Sequence, residues 1–343
     1  MKSDLSENTV SPGTSPEEMQ FGHSSQPRSR WFFLFKLLVT LGIVALIFNK
    51  IQFTEIQAEF KDVIWLPLAA GMAMTVPNIF IQYYKWRYLV HLLDRKISNS
   101  TIFTSLMCGF SIGLVTPGRL GELGKGVFIS SQSKSQLTGM AIIDKILSLW
   151  ALSVLGVISL FYLIEFKFSF SLWSKSLFMI MAVLFVVLLL ILVFQPSFLR
   201  TLIQLSKKMV ARAPFREKIF SLISASDYFK KQHFMPSFYF SMLFQLIILF
   251  QLFLFINAFT GLTAVESFLA GASAMLVKSL LPIAVMDLGV REGAVIYFFG
   301  KYGIPASSAF NASIMLFLSN VLIPGIIGLY FFTKYNFFRR HEN

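Results

Sequence analysis

Apolar segments long enough to cross a lipid bilayer recur along this chain of 343 residues. A helix needs about 20 apolar residues to span the hydrocarbon core, and only a helix or a closed barrel pairs all of its backbone groups there. Charged residues make up only 14% of the chain, against about 25% in soluble domains. We therefore predict an all-α integral membrane protein. Its apolar segments are expected at about Phe32–Phe48, Val63–Tyr83, Thr101–Val115, Leu137–Ile164, Leu177–Phe194, Phe238–Phe259, Val265–Val285 and Ala306–Phe332.

The basic residues predict how these segments are oriented. Lysine and arginine cluster before the first segment, after the second, between the fifth and sixth, and after the last, and such clusters stay on the cytoplasmic side of a membrane. Both chain termini are then cytoplasmic, which requires an even number of crossings. The third and seventh segments are interrupted by helix-breaking residues, so we predict six crossings plus two re-entrant helical hairpins. The halves, residues 31–164 and 177–333, form an inverted repeat, as in many secondary transporters.

The polar parts of the chain flank or divide this arrangement. Residues 1–30 are rich in Ser, Pro and Glu and are expected to form a disordered cytoplasmic tail. Residues 196–235 alternate basic and apolar residues and are expected to form an amphipathic linker on the cytoplasmic surface. Residues 334–343 are expected to form a basic cytoplasmic tail. The part between the tails, 31–333, is predicted to be a single multi-pass domain of the cytoplasmic membrane.

The two predicted hairpins carry similar motifs. The first reads GFSIGLVTPGRLGELGKGVFI from Gly109, and the second reads AGASAMLVKSLLPIAVMDLGVREGAVIYFF from Ala270. Each has two small residues four positions apart, which let helices approach closely. Each then has a proline, followed by an arginine and a glutamate among glycines. The residues expected to break helices are Pro117, Gly118, Gly121, Pro282, Gly289 and Gly293.

The charged residues beside these breaks are the candidate binding residues. A charge at membrane depth is costly and is a functional candidate by default, and an arginine beside the start of a helix suits a phosphate group. The candidates, expected to face one shared chamber, are Arg119, Glu122, Lys125, Asp144, Arg291 and Glu292. A purely structural role for the two Arg–Glu pairs stays open. Lys145 and Lys278 could instead reach the interface, and Tyr83–Lys96 is expected to be an interfacial anchor.

The composition and the missing motifs argue against several other classes of protein. One cysteine and four widely separated histidines predict no metal site and no cofactor. No enzyme motif is found, and GRLGELGKG departs from the spacing of a phosphate-binding loop. We predict no enzymatic activity, and any transport would run downhill or on an ion gradient. The basic excess lies beside predicted spans, which indicates lipid headgroups and not nucleic acid as the partner.

Three motifs together resemble the lysylphosphatidylglycerol synthase transmembrane region, or flippase-like domain, family. They are TPGRLGELGKG, the upstream KWRYLV and the later DLGVREG, and the resemblance covers about Trp31–Phe332. The resemblance implies a prokaryotic integral membrane protein whose module is linked to moving aminoacylated phospholipid between leaflets. It also implies that Pro117, Arg119, Gly121, Glu122 and Lys125 match the family's first motif, and that Gly289, Arg291 and Glu292 match its second. The chain ends soon after Phe332, so a stand-alone module without an aminoacyl-transfer domain is expected.

Two functions follow from these observations. The first is a flippase-like transporter that moves an anionic or aminoacylated lipid, or a lipid-linked precursor, between leaflets. The alternative is a non-catalytic membrane subunit or scaffold that assists a lipid- or glycan-modifying enzyme. The expected partners are a membrane lipid with an anionic headgroup and either further copies of the chain or a partner enzyme.

Overall fold

The chain is helical wherever regular structure is described. The structure, a computed structural model, describes residues 53–116, 119–130, 133–167, 171–194, 228–281 and 288–341, and no strand occurs among them. The α-helices are α1 Phe53–Glu59, α2 Trp65–Ala73, α3 Thr75–Leu93, α4 Asn99–Val115, α5 Lys134–Phe166, α6 Leu172–Phe194, α7 Phe234–Phe259, α8 Ala264–Leu280, α9 Val290–Gly300, α10 Ala306–Phe317 and α11 Ile323–His341. A 3-10 helix, here called the return helix, covers Leu120–Phe128, and a π-helix, Leu318–Leu322, joins α10 to α11.

Three helices in the described part of the chain are long and apolar enough to cross a membrane: Lys134–Phe166, Phe234–Phe259 and Ala306–Lys334. They correspond to the fourth, sixth and eighth predicted segments. The second segment is divided between α2 and α3, which meet at Met74. The first segment, the N-terminal tail, most of the 196–235 linker, and Pro117, Gly118 and Pro282 lie outside the described residues. At the other end, α11 continues to His341, so residues 334–341 of the predicted tail are helical.

The apolar residues divide into a packed interior and an exposed belt. One buried cluster lies around Phe255 and Phe299, and a second lies around Trp86 and Leu137. Along α6, by contrast, Leu177, Met181 and Leu184 are more than half exposed. An apolar surface of this extent is unfavourable in water and favourable against lipid. The fold is therefore that of a helical membrane protein.

The last helix packs closely against α4. A Cβ atom added at Gly328 would lie 2.1 Å from the Met107 carbonyl oxygen, and one added at Gly325 would lie 2.3 Å from Leu114 Cδ1. Only glycine fits at such distances. The contact holds α4, the incoming arm of the first predicted hairpin, against the end of the chain.

Candidate functional site

In the region of the first predicted hairpin, the return helix packs back against α4. α4 ends at Val115, and Arg119 adopts a left-handed conformation, φ 54° and ψ 33°, directly before the return helix. This conformation is uncommon for a residue with a Cβ atom, and such residues are concentrated at functional sites. The Gly121 backbone N–H donates a hydrogen bond of 2.7 Å to Thr116 Oγ1. The turn thus places the Arg119 side chain at the apex of the hairpin.

Glycines let the two arms of this hairpin lie in direct contact. A Cβ atom added at Gly109 would lie 2.7 Å from Lys125 Cβ, and one added at Gly113 would lie 3.0 Å from Glu122 Cγ. The prediction that this pair allows close packing is confirmed. Gly121 lies inside the return helix and approaches the α4 backbone. Its predicted role as a helix break is wrong, because the absence of a side chain serves the packing of the arms.

Asp144 of α5 joins two lysines from different elements. Its carboxylate lies 2.8 Å from Lys85 Nζ of α3 and 2.5 Å from Lys125 Nζ of the return helix. Lys85 also donates to the Asp144 backbone carbonyl at 3.1 Å and to the Ser148 hydroxyl. Lys125 Nζ lies 4.2 Å from the centre of the Trp86 ring, a cation–π contact. The carboxylate therefore ties α3, α5 and the first hairpin together.

A second carboxylate, Glu122, pairs with the arginine at the apex. Arg119 and Glu122 form an ion pair within the return-helix turn, and their side chains are each 18% exposed. Lys145 Nζ of α5 lies 3.9 Å from the same carboxylate, and its side chain is 40% exposed. Lys85, in the group of charges around Asp144, is only 3% exposed. The group around Glu122 is therefore the more accessible of the two.

Both charge groups line one cavity, which holds about 140 Å³ of solvent-sized space. Its basic lining residues, among those described, are Lys85, Arg119, Lys125, Lys145 and Lys278, and its acidic ones are Glu122 and Asp144. Five positive and two negative charges leave a formal charge of +3.

Helices from both halves of the chain meet at this cavity. It is lined by residues of α3, α4, the return helix, α5 and α7 and by the C-terminal end of α8. Lys278 and Ser279 of α8 reach it from the incoming arm of the second predicted hairpin. Apolar residues such as Phe110, Leu152 and Phe244 complete the lining. A polar ligand held by the charges would thus be surrounded by an otherwise apolar helical protein.

The second arginine–glutamate pair lies elsewhere. Arg291 Nη2 lies 2.5 Å from Glu292 Oε1, and the two residues are only 3% and 1% exposed. Ser313 of α10 contacts both side chains at 3.2 Å, and the Arg291 guanidinium lies 5.1 Å from the centre of the Phe317 ring. Neither residue of the pair is among the described residues that line the cavity. The predicted shared chamber is therefore not seen in the described part of the chain.

Glu292 of this pair also caps the start of α9. Gly289 precedes α9 with φ 84°, a conformation that glycine adopts readily, and its backbone N–H donates to Glu292 Oε2 at 2.6 Å. Glu292 thus caps the helix start while it neutralises Arg291. Gly289, where a helix break was predicted, stands directly before the first residue of α9. Gly293 lies within α9 with open space beside it, so its predicted role as a helix break is wrong.

Sequence reasoning placed several members of the cavity elsewhere. Lys85 and Trp86 were expected in an interfacial anchor, but Trp86 is fully buried and Lys85 is nearly so. For Lys278 the sequence allowed a position at the interface, and the structure places it in the lining of the cavity. The available signal was the KWRYLV motif, together with a lysine inside the apolar run before Pro282. Of the six predicted binding residues, four line the cavity: Arg119, Glu122, Lys125 and Asp144.

A network of amide side chains adjoins the cavity. Gln82, which lines the cavity, donates to Asn78 at 3.0 Å, and Asn78 bonds to Asn320 of the π-helix. Asn320 donates to Gln251 at 2.7 Å, and Gln251 donates to the Gly71 carbonyl at 2.8 Å. Buried amides of this kind join transmembrane helices, and short π-helices are frequent at functional sites. The network links α2, α3, α7 and the π-helix beside the cavity.

Among the described residues, no group of three or more His, Cys, Asp or Glu side chains is placed to hold a metal ion. What the cavity offers is charge-assisted hydrogen bonding to an anion.

Comparison with known proteins identifies a family. A family model described as the lysylphosphatidylglycerol synthase TM region matches residues 33–328. No curated protein and no solved structure matches the chain.

Proposed function

The chain belongs to the lysylphosphatidylglycerol synthase TM region family, and from this premise we propose that it moves a lipid between the leaflets of the cytoplasmic membrane. The anionic, phosphate-containing headgroup passes through the charged cavity while the acyl chains stay in the bilayer. The observation that carries the proposal is a cavity lined by charged side chains, among them Lys85, Arg119, Lys125, Glu122 and Asp144, inside an apolar helical protein. Charges at membrane depth are costly unless they serve a polar ligand or a path for one.

The proposed topology is the one expected from the sequence: six crossings, two re-entrant hairpins, an inverted repeat and cytoplasmic termini. The lengths of α4 and α8 support it. Each has 17 residues, or about 25 Å at 1.5 Å per residue, which is short of a hydrocarbon core of about 30 Å. Each also begins with a hydroxyl cap, Ser98 bonded to the Thr101 N–H and Thr263 bonded to the Glu266 N–H.

The basic and acidic residues of the cavity have different roles in binding. Arg119 and Lys125 lie on the first hairpin and line the cavity, and both offer N–H donors to a phosphate. Glu122 and Asp144 hold the basic side chains in place until a headgroup arrives. The phosphate then takes over part of the pairing that the carboxylates supply, so the cations are never left without an anion.

The Arg291–Glu292 pair has a different role in this proposal. The buried pair, with its contacts to Gly289 and Ser313, holds the start of α9 against α10. It keeps the second hairpin in place beside the cavity and does not touch the headgroup. The protein is a transporter without a catalytic step, and the movement is driven by the lipid gradient or by an ion gradient.

Reconstitution tests this function. The full chain in proteoliposomes is expected to speed the leaflet exchange of a fluorescent anionic phospholipid relative to protein-free liposomes. Lys125→Gln is expected to slow the exchange about tenfold to 100-fold, because a hydrogen bond to a charged group contributes about 1.5–3 kcal/mol. This variant leaves Asp144 paired with Lys85, which preserves the fold.

Lys175→Gln is the matched control, since Lys175 pairs with Glu165 away from the cavity, and it is expected to exchange lipid at the wild-type rate. Equal rates for wild type and Lys125→Gln would count against the mechanism. A wild-type protein that moves no lipid and co-purifies with a lipid- or glycan-modifying enzyme would favour the subunit role.

A further inference from the structure

We infer that a stripe of polar side chains on α3 forms an uncharged subsite for the lipid headgroup, continuous with the charged cavity. The stripe consists of Thr75, Asn78 and Gln82, and hydrogen bonds extend it to Asn320 of the π-helix and Gln251 of α7. This subsite rests on the proposed function, and it adds residues that contact the headgroup beyond the charged cavity.

The stripe occupies one face of α3. Thr75, Asn78 and Gln82 are three and four positions apart, a spacing that places side chains on the same side of a helix. Thr75 and Asn78 are buried, whereas Val76 and Phe80, on the other side of α3, are 57% and 50% exposed. The polar face of α3 is therefore turned toward the protein interior, and the apolar face is turned outward, where lipid would lie.

The stripe begins at the charged cavity. Gln82 and Lys85 both line the cavity, and Thr75 lies ten positions before Lys85 in the same helix. At 1.5 Å per residue this distance is about 15 Å along the helix axis, or half of a hydrocarbon core of about 30 Å. A headgroup that enters the cavity thus has further polar partners along α3 for that distance.

The amide side chains form one continuous chain of hydrogen bonds. Gln82 donates to Asn78 at 3.0 Å, and Asn78 donates to Asn320. Asn320 donates to Gln251 at 2.7 Å, and Gln251 donates to the Ser319 hydroxyl at 2.9 Å. Amides both donate and accept, so the same groups can bond to the phosphate oxygens and to the hydroxyl or ammonium groups of a headgroup.

These bonds can be exchanged at low cost. Hydrogen bonds between transmembrane helices contribute about 0.6 kcal/mol on average, because their groups find other partners when the bond opens. A headgroup that offers equivalent donors and acceptors can therefore replace the amide–amide bonds one at a time as it advances from Gln82 toward Thr75.

The Thr75 hydroxyl is the group that points to a ligand. Its Oγ1 atom is buried and has no hydrogen-bond partner among the residues that the structure describes. A buried hydroxyl without a partner costs about 1–3 kcal/mol. The joining of helices does not account for this hydroxyl, because it bonds to no other described helix. A headgroup at the end of the stripe would supply the partner.

Thr75→Val tests the subsite and leaves the amide chain in place. The hydroxyl that this change removes bonds to no described residue, so the thermal unfolding midpoint is expected to stay the same or to rise. Leaflet exchange of a fluorescent phosphatidylglycerol in proteoliposomes is expected to slow about fivefold, as for the loss of a hydrogen bond of about 1 kcal/mol. Thr333→Val is the matched control, since the exposed Thr333 hydroxyl donates to the Tyr330 carbonyl of its own helix at 2.9 Å, and it is expected to exchange lipid at the wild-type rate.

Cysteine labelling tests whether a charged, water-soluble group reaches the stripe. Cys108→Ser removes the one cysteine of the chain, and Asn78→Cys or Phe80→Cys is then added to place a thiol on the stripe or on the outward face. With a cationic methanethiosulfonate, Asn78→Cys is expected to react on the order of tenfold faster than Phe80→Cys, because the thiolate is the reactive form and apolar surroundings keep a thiol protonated. Short-chain phosphatidylglycerol is expected to slow the reaction of Asn78→Cys, and glycerol phosphate at the same concentration to slow it less.

Four results would overturn the subsite. The first is a wild-type exchange rate in Thr75→Val, and the second is a lower unfolding midpoint in that variant, which would make the hydroxyl structural. The third is an Asn78→Cys that reacts no faster than Phe80→Cys. The fourth is glycerol phosphate that protects Asn78→Cys as well as the lipid does, which would make the ligand a soluble phosphate ester.

Labelling and leaflet exchange together separate this subsite from the proposed function. If the lipid protects Asn78→Cys but the wild-type protein moves no lipid, the subsite stands and the transport proposal fails. If the wild-type protein moves lipid while Asn78→Cys stays as unreactive as Phe80→Cys, transport stands and the subsite is wrong.

Discussion

Asp144→Ala is expected to lower the free energy of unfolding by about 3–5 kcal/mol, because breaking a buried ion pair leaves its partner charge uncompensated. Two buried lysines, Lys85 and Lys125, lose their shared carboxylate in this variant. The measurement is an unfolding titration of the purified protein in mixed micelles, with tryptophan fluorescence as the signal. The control is Glu165→Ala, which removes the partner of Lys175 from a pair whose glutamate is 45% exposed. Such an exposed pair contributes about 0–1 kcal/mol.

Variants of the same cluster can separate a loss of stability from a loss of lipid transport. A triple variant, Lys85→Met, Lys125→Met and Asp144→Leu, replaces all three charges with apolar side chains and is expected to recover most of the lost stability. It is also expected to move no lipid. If Asp144→Ala unfolds at the same denaturant concentration as wild type, then Lys85, Lys125 and Asp144 are hydrated independently. The claim that they form a buried ion-pair cluster would then be wrong.

Arg291→Ala is expected to cause a loss of similar size, about 3–5 kcal/mol, since it leaves the Glu292 carboxylate buried without its cation. Glu292 would keep its hydrogen bonds from Gly289 and Ser313 but not its charge partner. The double variant Arg291→Met with Glu292→Gln removes both charges, and the glutamine carbonyl can still accept from the Gly289 N–H. We expect the double variant to recover most of the stability in the same unfolding titration.

The double variant also separates a structural pair from a binding pair. Because neither residue lines the cavity in the described part of the chain, lipid exchange by the double variant is expected to stay within about twofold of wild type. A variant that is as stable as wild type but moves no lipid would show that the pair acts on the headgroup, as the similarity of the two hairpin motifs indicated.

The helices themselves were predictable because their signal is local. Apolar segments predicted at Leu137–Ile164 and Phe238–Phe259 appear as Lys134–Phe166 and Phe234–Phe259. Each observed helix begins three or four residues earlier than its predicted apolar segment. The close approach allowed by Gly109 and Gly113 was predictable for the same reason, because a small residue allows contact whatever its partner is.

The identity of the cavity's lysines was not predictable from such local signals. Whether Lys85 extends to the membrane surface or turns inward depends on Asp144, 59 residues further along the chain. Lys278 lines the same cavity as the first hairpin because α8 packs against α5. The motif similarity grouped Arg291 with Arg119 at the level of the sequence. Their surroundings differ, because Ser313 and Phe317 enclose Arg291 while Arg119 faces an open space.

Photo-crosslinking with a phosphatidic acid that carries a diazirine next to its phosphate tests the central claim most directly. The full chain is labelled in proteoliposomes, and the modified peptides are mapped by mass spectrometry. The account predicts crosslinks to the return helix and to the last turn of α8 near Lys278, with reduced yield in Lys125→Gln. Crosslinks confined to lipid-facing surfaces such as α6, with equal yield in wild type and Lys125→Gln, would contradict it.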